Sequence, residues 1–121
     1  MKKLPIIFFS FNRPENTRKV LLAIRDYKPT RLYLVLDGPR PWAPDDQALV
    51  LANVAVLKEL TDWDCEITWM RSEENLGCGK RIASALSAIF AIEEYAVILE
   101  DDCVPVAQFF SFMEQHLHDS L

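Results

Sequence analysis

Three carboxylates stand side by side at Glu100-Asp101-Asp102. Adjacent negative charges repel unless a cation or hydrogen-bond donors compensate. A hard divalent ion, Mn2+ or Mg2+, suits such oxygen ligands, and it keeps positions for substrate phosphates beside one or two carboxylates. The same run could instead be an acidic capping turn ahead of a helix opened by Pro105. Asp37 precedes Gly38-Pro39. There it could accept a hydrogen bond from a nucleobase or ribose, or close an Asx turn on its own loop. Arg13, next to Asn12, and the pair Lys80-Arg81 are cations placed to neutralise phosphate or to sit as solvated charge. Lys80-Arg81 follow Gly77-Cys78-Gly79 at a helix start, where backbone N–H groups favour anions. The string is not a P-loop, because Glu74 occupies the first glycine position and Arg81 replaces the hydroxyl residue. Phe11, Trp42, Trp63 and Trp69 could stack on a base or sugar, with at most one expected to do so. His116 and His118 are two residues apart and do not share a helical face, so they are not expected to form a metal pair. Cys65, Cys78 and Cys103 have no metal-like spacing.

The apolar pattern supplies the elements that must hold these groups. Leu4–Phe11 is a continuous apolar run, as in a strand buried on both faces. Pro14 and Glu15 suit a helix's first turn. Val20, Leu21, Ile24 and Tyr27 continue at helical spacing until Lys28-Pro29-Thr30. Leu32–Leu36 reads as a second buried strand, broken by Asp37-Gly38-Pro39-Arg40-Pro41. A proline-rich loop leads to a helix with Val50, Val54, Leu57 and Leu60 on one face. Cys65–Trp69 alternates, which predicts a half-exposed edge strand. Ile82, Ala85, Leu86, Ile89 and Phe90 mark the buried face of a third helix. Ala96–Leu99 predicts a buried fourth strand, and Phe109, Phe110 and Met113 a final helix.

The order βαβαβαβα, with right-handed crossovers, predicts one domain over residues 1–121. Its fold class is α/β: a three-layer α/β/α sandwich with a mainly parallel sheet in order 3-2-1-4, Rossmann-like. Ligands of open parallel sheets bind at the carboxyl ends of the strands. Asn12-Arg13, Asp37 and Glu100-Asp101-Asp102 follow strands one, two and four, so they are expected around one crevice.

Composition narrows the partners. The 121 residues are 50% hydrophobic and 26% charged, with a net charge of −5. That acid excess argues against nucleic acid or an anionic membrane. No apolar run reaches the ~20 residues of a membrane span. Met1-Lys2-Lys3 with Leu4–Phe11 is too short for a signal peptide and lacks a cleavage site. Three cysteines, an odd number, fit a reducing, cytoplasmic setting.

Taken in order, several segments resemble the nucleotide-diphospho-sugar-binding half of GT-A glycosyltransferases. They are Pro5-Ile6-Ile7 through Phe11-Asn12-Arg13-Pro14, Leu36-Asp37-Gly38, Asn75-Leu76-Gly77, Ile98-Leu99-Glu100-Asp101-Asp102, and Phe109-Phe110. The similarity is to family-2-like bacterial enzymes and to the N-acetylglucosaminyltransferase I type, and it covers nearly the whole chain. It implies a nucleotide-diphosphate sugar, a UDP-sugar by analogy, as the ligand. It implies Asp102 as metal ligand with Glu100 as a second candidate, Asp101 on the ribose, and Asp37 on the base. Asn12 and Arg13 would approach the phosphates, and Lys80 or Arg81 matches a basic position after the glycine loop. A Mn2+ or Mg2+ ion on Asp102 would stabilise the diphosphate leaving group during transfer to a hydroxyl acceptor.

The chain stops about one helix past Asp102. The resemblance therefore implies a donor-binding half, the N-terminal part of a longer enzyme, without acceptor site or catalytic base. An inactive nucleotide- or protein-binding module is the alternative. A receiver domain would carry its acid pair after strand one, and a nucleotidyltransferase a glycine-rich loop there; neither is present. A fourth strand without a neighbour exposes a sheet edge, which predicts homo-oligomerisation.

Overall fold

The computed structural model describes residues 2–120; the side chains of 118–120 lie outside the description, and with them His118 and the reading that it forms no metal pair with His116. The elements are β1 (Ile6–Ser10), α1 (Pro14–Tyr27), β2 (Arg31–Leu36), α2 (Asp46–Leu60), β3 (Glu66–Arg71), α3 (Cys78–Ile89), β4 (Val97–Glu100) and α4 (Ala107–Ser120). All four strands are parallel, in the order β3-β2-β1-β4. This is a Rossmann-like α/β fold, as the sequence predicts. Ser10 pairs with Leu36, Leu36 with Arg71, and Phe9 with Glu100. The carboxyl ends of the strands are therefore level to within about a residue, and the loops after them share one edge.

Side-chain alternation divides the core between the two faces of the sheet. Ile6, Phe8, Leu32, Leu34, Leu36, Val97 and Leu99 form one cluster with residues of α1, α2 and α4. Ile7, Tyr33 and Val35 meet Ala85 and Ile89 of α3 on the other face. The chain runs outward from β1 to β3, then returns across β1 to β4. A right-handed return puts α3 on the face opposite α1 and α2.

Two expectations from the apolar pattern are corrected here. β4 is not buried on both faces: Val97 and Leu99 are buried, but Ile98 is 46% exposed. The reason is that α3, the one helix on that side, packs on β1 and β2 and leaves β4 bare. Phe90 does not extend the buried face of α3. It caps the helix and stands 42% exposed.

Local chemistry closes the elements. Pro14 opens α1, and Lys28 ends it in the left-handed region at φ 54°, with its N–H shared by Ile24 and Arg25 carbonyls. Tyr27 ties α4 to this core. Its ring stacks on Phe110 at 4.4 Å, and its hydroxyl bonds to Glu114 and accepts from the Leu4 N–H at 2.8 Å. No helix among the described residues is long and apolar enough to cross a membrane.

The cysteines offer a direct check. Cys78 and Cys103 are exposed, whereas Cys65 is half-buried where β3 begins. Burial, with the charges of Asp64 and Glu66 behind it, pushes the Cys65 thiol up to about 11. At pH 8 only about one such thiol in a thousand is ionised, and the thiolate is the reactive form. A thiol-disulfide reagent at pH 8 should consume Cys78 and Cys103 first, with Cys65 reacting at least about tenfold more slowly. Peptide mapping would detect the order, and equal rates would contradict the burial.

Candidate functional site

A cleft of about 500 Å³ crosses the carboxyl edge of the sheet, reaching from the end of β4 past β1 to the loops after β2 and β3. Topology explains its position. Strand order reverses between β1 and β4, and the segments that follow these two strands line the cleft side by side. Asn12, Arg13, Asp37, Arg81, Glu100, Asp101 and Asp102 all line it. Lys80 does not: it is exposed and outside the lining. Of the two cations at the start of α3, Arg81 alone reaches the cleft.

The lining residues differ in how far they are already committed. Asp37 is the most committed. Its Oδ1 accepts from the N–H groups of Gly38 and Leu76, both at 2.9 Å. Its Oδ2 accepts from the Gly77 N–H at 3.0 Å and the Asn75 side-chain amide at 3.2 Å. The same amide nitrogen donates to the Gly38 carbonyl at 2.8 Å. Two donors on each oxygen fill the acceptor positions of a carboxylate. Asp37 thus pins the loop before α3 to the end of β2, which is the loop-closing alternative rather than an open contact for a base.

Arg81 works in a similar way. Its Nε donates to the Leu36 carbonyl at 3.0 Å, and its Nη2 to the Met70 carbonyl at 2.9 Å. Nη1 donates to Ser84 Oγ at 3.1 Å. A long-range side chain therefore satisfies carbonyls at the ends of β2 and β3 while leaving its charge on the cleft wall.

Asn12 donates to Asp46 Oδ1 at 2.9 Å. Asp46 is only 2% exposed, although it is an aspartate at the start of a surface helix. Arg40 explains how it is tolerated. Nε donates to Oδ2 at 2.7 Å, Nη2 to Oδ1 at 2.9 Å, and the Arg40 backbone N–H to Oδ2 at 3.0 Å. The guanidinium holds the Asp46 carboxyl well below the usual carboxylate range. The Phe11 ring lies 5.7 Å from the guanidinium carbon.

Beneath this pair, Ser10, Thr17 and Asn53 form a closed ring of hydrogen bonds. Thr17 Oγ1 donates to Asn53 Oδ1 at 2.6 Å, and the Asn53 amide donates to Ser10 Oγ. Ser10 Oγ then donates to Thr17 Oγ1 at 3.0 Å. The ring joins β1, α1 and α2 directly below the cleft.

None of Arg40, Asp46, Ser10, Thr17 and Asn53 figures among the candidates from sequence. One signal was available. Asn53 interrupts the apolar face of Val50, Val54 and Leu57, and a polar residue inside such a face needs a partner.

The acidic end of the cleft is more open. Glu100 is the last residue of β4, on the same exposed face as Ile98. Asp102 is exposed, and Asp101 half-buried. Burial raises the Asp101 pKa, the nearby Arg13 charge pulls it back, and Asp102 adds to the rise. The side chains of Glu100 and Asp102 make no hydrogen bond or ion pair among the described residues. Among those residues no three His, Cys, Asp or Glu side chains lie together closely enough to hold a metal ion.

Of the four aromatic candidates, Trp42 keeps an open ring, being 73% exposed at the cleft rim. Trp63 donates its indole N–H to the Pro29 carbonyl at 2.8 Å, and both it and Trp69 pack on the core. No family model matches the chain, and neither a curated protein nor a solved structure does.

Proposed function

We propose that this domain binds a nucleotide-diphosphate sugar in the cleft, as the donor-binding half of a GT-A-like glycosyltransferase. The reading rests on one observation. A single cleft at the ends of β1, β2 and β4 combines three arginines, three consecutive carboxylates and an open tryptophan. Arginines suit a diphosphate, and an exposed indole suits a base or sugar face. The UDP form of the donor is carried by the sequence resemblance.

The donor set fits a divalent ion in a limited way. Glu100 and Asp102 are oxygen donors not consumed by other side chains, and two carboxylates are a common protein share of a Mg2+ or Mn2+ site when phosphates complete it. When bound, the ion would offset the charge that develops on a departing nucleoside diphosphate. The chain's own residues have further parts. Arg13 moderates the charge on Asp101, whose carboxylate would face the ribose. Asp37 and Arg81 hold the wall formed by the loop before α3, so that the cleft keeps its width before ligand arrives. Asp46 and Asn12 hold the opposite wall.

Calorimetry with UDP, with and without Mn2+, tests the reading. Wild type should bind UDP more tightly with Mn2+. Asp102→Ala should lose about tenfold or more of that affinity, about 1.4 kcal/mol, and most of the metal dependence. Undiminished metal-dependent binding by the variant would remove the metal assignment. Binding of UDP indifferent to Mn2+ would favour a nucleotide-holding module instead.

A further inference from the structure

We infer that Arg40 is the cleft's prearranged contact for a phosphate or diphosphate group, with Asp46 as the residue that positions it. The inference deepens the donor-binding reading, and it depends on that reading only for the nucleoside part of the ligand.

The three cleft arginines are not equivalent. Arg81 has each of its three nitrogens engaged with Leu36, Met70 or Ser84. Arg13 is exposed, and its charge already acts on Asp101. Arg40 stands between these cases. A guanidinium has five N–H donors. Two go to Asp46, through Nε and Nη2. That leaves three, two on Nη1 and one on Nη2, with no acceptor among the described residues. The side chain is 41% exposed and lines the cleft, while its Asp46 partner is 2% exposed. One edge of the planar group is therefore held by Asp46, and the remaining donors belong to a side chain that lines the cavity.

That arrangement suits an oxyanion. Phosphate and diphosphate oxygens accept paired N–H donors from one guanidinium edge. An arginine ordinarily loses side-chain freedom on binding, which weakens the contact. Here that freedom is largely gone beforehand. Asp46 holds two N–H groups, Asn12 and the Arg40 backbone N–H hold Asp46, and the Phe11 ring lies against the guanidinium. Pro39 and Pro41 flank Arg40 and restrict the backbone on both sides. Asp46 offsets the positive charge, so the contact acts through directed hydrogen bonds at short range.

The structural role of Arg40, balancing a buried carboxylate, uses only its Nε and one Nη2 donor. Asp46 lies in the first turn of α2, where a carboxylate is favoured, and it already takes bonds from Asn12 and a backbone N–H. Nothing in that role requires a guanidinium edge on the cleft.

Calorimetry with inorganic pyrophosphate and with UDP, at constant Mg2+, separates the possibilities. Removing Arg40 alone would strand a buried carboxylate, so the main variant is the double Arg40→Gln, Asp46→Asn, which keeps a neutral hydrogen-bonding pair. Arg40→Lys is the second variant: it retains the charge and loses the planar fork. Wild type should bind pyrophosphate. Both variants should bind pyrophosphate and UDP about tenfold or more weakly, with thermal unfolding cooperative in each. Equal pyrophosphate affinity in wild type and Arg40→Lys, or in wild type and a folded double variant, overturns the inference. Unchanged UDP binding would then leave the donor reading standing. Arg40-dependent pyrophosphate binding with no added affinity for UDP supports Arg40 and removes the nucleoside reading. Wild type binding neither probe overturns both.

Discussion

Phe8→Ala should lower the unfolding free energy by about 3–5 kcal/mol, read as a lower urea midpoint at unchanged slope. Phe8 is fully buried in the middle of β1, a strand with a neighbour on each side. Leu34 of β2 and Leu99 of β4 sit opposite it in register. Val20, Leu21 and Ile24 of α1 belong to the same cluster. Strands hydrogen-bonded on both sides of β1 cannot close in on a lost ring, so most of the cavity would persist and add to the lost transfer energy. A domain of this size typically has about 5–15 kcal/mol of stability in all. The variant should therefore be partly unfolded in mild urea, and the cleft with it, because β1 leads directly into Asn12 and Arg13. Phe112→Ala is the matched control: that ring is 64% exposed, and the change should stay within about 0.5 kcal/mol. A loss below about 1 kcal/mol for Phe8→Ala would mean that the core is far looser than its burial indicates.

Gly38→Ala should destabilise the fold by about 1–3 kcal/mol and weaken UDP binding beyond what stability accounts for. A Cβ at Gly38 would stand 2.6 Å from the Glu73 carbonyl oxygen and 2.6 Å from the Glu74 carbonyl carbon. Both are backbone atoms, so no side chain can rotate away. The segment 73–75 must move, and it carries Asn75, whose amide bonds to Asp37 and to the Gly38 carbonyl. The bonds from Leu76 and Gly77 to Asp37 share that displacement. One methyl group thus acts on the wall that ends in the start of α3. Gly79→Ala is the contrast. Its Cβ meets nothing within 4 Å and it lies inside α3, where alanine is favoured by up to about 1 kcal/mol. Thermal melts and UDP titration on both variants would check the pair. A Gly38→Ala protein that melts and binds like wild type would contradict the close approach of these two segments.

The candidate site was legible in outline. Residues that follow a buried strand in a parallel α/β order must lie on one edge, so Asn12, Arg13, Asp37 and the Glu100–Asp102 run could be brought together from the sequence. Arg81 could be placed near them, but separating it from Lys80 needed the helix rotation, which one residue changes by 100°. The commitments of these side chains were not legible. Asp37 bonds to residues 38–40 positions away, and Arg81 to a carbonyl 45 positions away. Spacing along a chain carries no record of such bonds.

The sequence by itself determined the order of the elements, their faces and the parallel sheet. These follow from repeating patterns of apolar residues, each read over a few turns or a single strand, and many residues vote for each period. Tertiary structure alone decided how far the predicted site residues are free. It turned Asp37 and Arg81 inward as braces, left Glu100 and Asp102 open, and paired Arg40 with a buried Asp46. It also decided that Ile98 stays exposed, because one helix cannot cover a four-stranded face, and that Phe90 ends α3 as its cap instead of joining the core. Each outcome depends on a few specific atoms meeting within about 3 Å, or on the area left after packing. No local pattern encodes either, so the chemistry of the cleft had to be read from the folded chain.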